Sequence, residues 1–148
     1  MKRIAFLTLF VIAACNIKNR NNFHSVFHSE KDTVLSRLRG LSDSALTKIE
    51  VTPLVRIFDS VNEGSVLVAK YNLLNFGAMP LTIAQTIVSC DCTTPIEDAP
   101  IILSGENKEI EFLVNTSGFQ KGYNERTITI LGNFKPFYRV LRVEVYIK

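Results

Sequence analysis

Residues 50–148 predict an all-β domain, an immunoglobulin-like β-sandwich of about seven strands. Three observations carry this. Short runs with apolar residues at every second position fill the chain from about Ile49 to Lys148, and that is the period of a half-buried strand. Turn-forming clusters cut the runs at Asn62-Glu63-Gly64, Asn75-Phe76-Gly77-Ala78, Ser104-Gly105-Glu106-Asn107 and Gly132-Asn133. Roughly seven short strands in about 100 residues pack most naturally as two facing sheets, with a small barrel as the other arrangement. No internal repeat is present.

The elements follow in order. Val51 to Phe58 is the first run, and Pro53, which has no N–H, assigns it to a sheet edge. Ser65 to Asn75 places Leu67, Ala69, Tyr71 and Leu73 on one face and Lys70 and Asn72 on the other. Leu81 to Cys90 starts with Leu81 and Ile83 inward, with a change of phase expected over Thr86-Ile87-Val88-Ser89. Pro95 to Pro100 reads as loop, and Ile101-Ile102-Leu103 as a short run. Ile110, Phe112 and Val114 alternate with Glu109, Glu111 and Leu113. After a polar loop holding Gly118 and Gly122, Arg126 to Leu131 turns Ile128 and Ile130 inward. Leu141, Val143, Val145 and Ile147 form the final inward face.

The N-terminal part reads differently. Lys2 and Arg3 precede the apolar run Ile4-Ala5-Phe6-Leu7-Thr8-Leu9-Phe10, and small residues lead to Cys15. This is the form of a secretory leader over residues 1–14, and the run falls short of the roughly 20 residues of a membrane span. Val11-Ile12-Ala13-Ala14-Cys15 resembles the lipobox of bacterial lipoproteins, which implies lipidation at Cys15. Loss of residues 1–14 removes two cations and no acid, so the formal charge falls from +3 to +1. That leaves no basic excess for nucleic acid. Residues 15–49 read as a tether: four Asn lie within 16–29, and a short helix is signalled by Ser29, Asp32, Leu35, Leu38 and Gly40. A second short turn is expected over Ser42 to Lys48. A flexible 16–50 would reach roughly 30–35 Å.

Several short motifs occur in a fixed order. Gly64 precedes an alternating strand. Asn75-Phe76-Gly77 and Pro80-Leu81-Thr82-Ile83 follow, then Ser89-Cys90-Asp91-Cys92-Thr93, then Ser104-Gly105-Glu106, and last a Gly-bearing loop before Thr127-Ile128-Thr129-Ile130. In this order and content Gly64–Lys148 resembles domain-of-unknown-function family 1573, common in lipoproteins and secreted proteins of the Bacteroidetes. Asp91 stands where that family usually has Gly, and Ser104 where it usually has Pro. The resemblance implies an immunoglobulin-like fold similar to that of certain ciliary and centrosomal repeat proteins. It implies no activity.

Three readings of Cys90 and Cys92 stand side by side. In an extended strand both thiols face one side, with Cα atoms about 6.6 Å apart, the upper edge for a disulfide. A local bend would allow the bridge. As thiolates the pair suits Cu(I), with Met79 as a further donor, or half a zinc shell. As small semi-apolar residues they fill space at a strand end. Asp91, Glu97 and Asp98 nearby in sequence oppose thiolate character.

Catalytic constellations are not evident. His24 and His28 lie in the tether, and no His follows them, so a serine nucleophile in the β domain has no histidine base. Glu97 and Asp98 are adjacent turn residues, more a solvated loop than an acid/base pair. Phe134, Phe137 and Tyr138 with Lys135 and Arg139 form either a contact patch or a sandwich edge. The expectation is a lipid-anchored protein of the bacterial envelope, on the periplasmic face of the outer membrane. It would be a non-catalytic binding or structural module without a cofactor, meeting an envelope protein through strand edges or loops. The alternative is a thiol redox or copper-handling protein.

Overall fold

The computed structural model describes residues 31–97 and 101–148. The expected leader, Cys15, His24, His28, Ser29 and Asp98 lie outside the described residues. Residues 31–39 are helical, and the Gly40 N–H meets the Ser36 and Arg37 carbonyls at 3.2 Å where the helix closes. A 3-10 turn, Asp43–Ala45, follows inside the stretch where a second turn was expected.

Nine strands build the rest of the described chain: β1 (Ile49–Thr52), β2 (Val55–Val61), β3 (Val66–Asn75), β4 (Leu81–Val88), β5 (Thr93–Pro95), β6 (Ile101–Ile102), β7 (Asn107–Asn115), β8 (Gly122–Gly132) and β9 (Tyr138–Ile147). They form two sheets, ordered β1-β3-β7-β5 and β2-β9-β8-β4-β6. Their inner faces meet in one core, in which Tyr71, Leu73, Leu81, Ile102, Val114, Ile128, Leu141, Val143 and Val145 have no exposed surface. The immunoglobulin-like β-sandwich is the fold.

The strand count exceeds seven for local reasons. The single run expected over Val51–Phe58 is two strands. β1 pairs antiparallel with β3, whereas β2 pairs parallel with β9 in the other sheet. Pro53 interrupts the ladder, behind a cis Thr52–Pro53 bond, and the chain crosses between sheets there. Both halves are sheet edges, as proline demands. β5 has no counterpart among the expected runs and takes in Pro95 from the expected loop, because three residues carry no period; it is held by the register Thr93↔Val114, Thr94↔Leu113. β4 stops at Val88, not Cys90, and its irregularity falls earlier than expected, where Ala84 is the extra residue between Ile83↔Gly132 and Gln85↔Leu131. Gly132 explains the place. A Cβ there would stand 2.7 Å from the Thr82 carbonyl oxygen, so β8 approaches β4 closely only as glycine.

Tyr71 crosses the core, and its hydroxyl donates to the Arg142 carbonyl at 2.7 Å. Burial of the ring is the main cause that pushes its pKa up to about 12. The fold therefore favours neutral tyrosine. Below the unfolded value, about 10, this contribution is fully present; it is lost as pH rises from there through about 12. We expect Tyr71→Phe to be less stable by about 1 kcal/mol at neutral pH and to lose less stability between pH 10 and 12. Urea unfolding at stepped pH measures both.

Candidate functional site

Three regions of the sandwich carry the residues that the sequence singles out. The first is the turn between β4 and β5. Ser89 closes β4 against β8: its N–H donates to the Thr127 carbonyl, and its Oγ accepts the Thr127 N–H, both at 3.0 Å. The chain then bends through Cys90-Asp91-Cys92. The Thr93 N–H returns to the Cys90 carbonyl at 3.2 Å, and the Cys92 carbonyl accepts the Asn115 N–H at 2.8 Å. The bend brings the Cα atoms to 5.1 Å, and Cys90 and Cys92 are joined by a disulfide. Thr93 beneath them is 3 % exposed, with its hydroxyl 3.6 Å from Cys90 Sγ and 3.8 Å from Cys92 Sγ. Cys92 packs against the core cluster, while Asp91 is exposed. Met79 is not part of this region. It precedes β4 and the cysteines follow it, so the strand's eight residues separate them by roughly 25 Å. Among the described residues no group of three or more His, Cys, Asp or Glu is placed to hold a metal.

The second region, at the opposite end, explains the Asn-x-Gly turn. Asn75 is wholly buried, and its side chain joins four segments. Oδ1 accepts from the Thr47 hydroxyl at 2.6 Å and the Gly77 N–H at 3.2 Å; Nδ2 donates to the Met79 and Ile102 carbonyls, each at 2.9 Å. Ser104 Oγ donates to the Gly77 carbonyl, and Glu106 Oε2 accepts the Leu103 N–H. The recurring polar residues here are structural. Phe134 is also buried, so it belongs to no surface patch with Tyr138, and Lys135 is tied to Asp43 at 2.7 Å.

The third region is the edge of β3. β1 covers only Asn72–Asn75 of it. The Asn75 main chain bonds Glu106 and Gly105 towards the β7 side, so by alternation Val66, Val68 and Lys70 aim their N–H and C=O groups the other way. Arg56 Nε donates to the Lys70 carbonyl at 2.6 Å. Among the described residues no strand pairs with Val66 or Val68 on that side, and their side chains are 61 % and 41 % exposed. Leu113, opposite Val68 on β7, extends the apolar surface.

A cavity of about 330 Å³ opens between β4 and the β5–β7 edge, lined by Ile83, Thr86, Ile96, Glu97, Glu109 and Glu111 among others. Two of its carboxylates meet one lysine. Lys70 Nζ bonds Glu111 and, at 2.9 Å, Glu109. The Lys70 bond holds the Glu109 carboxyl below its ordinary range, and bonds to Glu111 and Glu109 raise the Lys70 pKa. These are exposed ion pairs, not a poised proton donor.

Solved structures share this architecture. A protein of unknown function from Porphyromonas gingivalis W83 matches with a TM-score of 0.61 at 19% identity, over 74% of this chain and 50% of that one. The chain thus spans half the length of that protein. PapD-like domain 7 of human CEP192 matches with a TM-score of 0.54 at 10% identity, over 74% of this chain and 91% of that domain. The CsuC–CsuE chaperone–tip adhesion subunit complex from Acinetobacter baumannii matches with a TM-score of 0.52 at 13% identity, over 68% of this chain and 57% of that one. At these identities the likeness is one of fold. No curated protein matches the sequence. The family model described as protein of unknown function (DUF1573) matches residues 49–147, which are β1 to β9 in full, and the chain belongs to that family.

Proposed function

We propose that this chain is a bacterial envelope protein, anchored through lipid on Cys15, that acts as a non-catalytic binding module. Its β3 edge takes an extended segment of an envelope partner. The observation that supports this is the open stretch Val66–Val68, an exposed edge beyond the reach of β1 and of the Arg56 bond to Lys70. Exposed edges pair readily, and natural sheets usually blunt them with charge, proline or a covering loop. Val66 and Val68 are neither charged nor covered. Strand addition there would use main-chain bonds for affinity and the Val68–Leu113 surface for selection.

Val68→Pro tests the module. Its N–H faces away from β7, so proline removes a bond that only a partner strand would use. A photo-crosslinking residue at position 66 of the full chain, in the native envelope, is expected to form a discrete adduct. Val68→Pro should abolish that adduct while the thermal midpoint changes little. An adduct that survives the substitution would rule out strand addition at this edge. For the anchor, mass spectrometry of the mature chain is expected to find acyl groups on Cys15, and Cys15→Ser should move the protein out of the membrane fraction. Copper handling at Cys90 and Cys92 has less support, because Met79 lies at the far end of β4.

A further inference from the structure

We propose that the Cys90–Cys92 bridge is a site of thiol–disulfide exchange with a dithiol partner, and that the Thr93 hydroxyl holds the sulfur that leaves. This is independent of the β3 edge.

The geometry points that way in three respects. The bridge closes a ring across one intervening residue, so it contributes little as a staple, since closing so short a loop removes little unfolded-chain entropy. It lies in an exposed bend, and the two sulfurs differ: Cys92 packs on the core, whereas Cys90 is outside that cluster. Both residues are half-buried, and Cys90 Sγ, which lacks that packing, is the sulfur assigned to the incoming thiolate. Beneath both sits a buried hydroxyl whose side-chain partners are the two sulfurs. A disulfide sulfur is a weak acceptor, whereas a thiolate is a strong one. Thr93 is thus placed for the state that exists after the bond opens. The strand β5 that holds Thr93 remains paired to β7 at Val114, so the hydroxyl stays put when the bend relaxes.

The step balances. A partner thiolate attacks Cys90 Sγ, a new S–S bond forms, and the Cys90–Cys92 bond breaks with its electron pair on Cys92 Sγ. That thiolate accepts the Thr93 O–H and then a proton from solvent. The partner's second thiol, as thiolate, attacks its own sulfur of the mixed disulfide and releases Cys90. The protein ends with two thiols and the partner with one disulfide; run backwards, the same site oxidises itself at a partner's expense. Asp91 between the cysteines has a carboxylate that repels an anionic attacker, which makes the hydroxyl's contribution matter more.

The test uses the full chain extracted from membranes, with dithiothreitol as the dithiol. Timed alkylation and peptide mapping follow Cys90 and Cys92 separately from Cys15. Exchange is expected without loss of the folded circular dichroism spectrum. Thr93→Val should slow it about tenfold or more, the lower end of what one hydrogen bond to a charged leaving group is worth, and Thr93→Ser should restore it. Asp91→Asn should speed it about two- to threefold at low salt, an effect that disappears at high salt. Asp91→Asn is exposed and keeps the result decisive should Thr93→Val fail to fold. Reaction only after unfolding in guanidinium would overturn the proposal. So would equal rates for folded Thr93→Val and the natural protein, or an Asp91→Asn rate that does not respond.

Discussion

Asn75→Ala is expected to lower the stability of the domain by about 3–4 kcal/mol, among the largest effects of a single substitution here. The side chain has no exposed surface and uses both ends. Its removal leaves the Thr47 hydroxyl, the Gly77 N–H and the Met79 and Ile102 carbonyls without these bonds. Buried polar groups left alone cost about 1–3 kcal/mol each, reduced by whatever local relaxation admits water. Asn75→Asp should be at least as harmful at neutral pH, since a carboxylate only accepts and would face two carbonyl oxygens. Urea unfolding reads the result as a lower midpoint at unchanged slope. A loss under 1 kcal/mol would mean that the four segments do not depend on this side chain.

Gly77→Ala is expected to cost about 3 kcal/mol, at the upper end of ordinary overpacking. A Cβ at Gly77 would overlap Thr47 Oγ1 and the Lys48 main-chain nitrogen. The contact is with main chain, so relief requires moving the 47–48 segment away. That same segment accepts the Phe76 and Gly77 N–H groups on the Lys48 carbonyl. Space, not a left-handed backbone, is what glycine supplies here, because Gly77 is outside the positive-φ set. Gly118→Ala is the contrast. Its φ is +77° with nothing near the added methyl, so only backbone strain of about 1–2 kcal/mol applies. Equal losses at the two positions, measured by the same unfolding experiment, would contradict the steric account. Because Asn75 and Gly77 share a hydrogen bond, the double variant should lose less than the sum of the single ones.

Much of the fold was legible because its strands are one-sided. Leu67, Ala69, Tyr71 and Leu73 alternate with polar or exposed residues, and that period has only one low-energy use beside a partner of the same kind. The same holds for Leu141 to Ile147. The short or polar pieces were not legible. β5 has three residues, and the first part of β8, Gly122–Glu125, is polar because it lies at the sandwich end. Arg126 shows the limit best. It occupies an inward position, and its guanidinium lies 4.1 Å from the centre of the Phe119 ring. Alternation with Ile128 and Ile130 puts it on the inner face, but no local pattern names the Phe119 ring that meets its charge.

The candidate sites divide in the same way. Local order in the chain determined that Cys90 and Cys92 stand close together and that Asn75-Phe76-Gly77 turns, because neighbours two residues apart cannot separate far. Only the packed sandwich decided that Asn75 ties Thr47 to Ile102, and that Val66 and Val68 lack a partner strand. Those relations join residues as many as 55 positions apart in the chain, since Asn75 bridges 28 from Thr47 and 27 to Ile102. They exist because two sheets close over one core, and the exclusion of water from that core makes every polar group inside it seek a partner elsewhere in the chain.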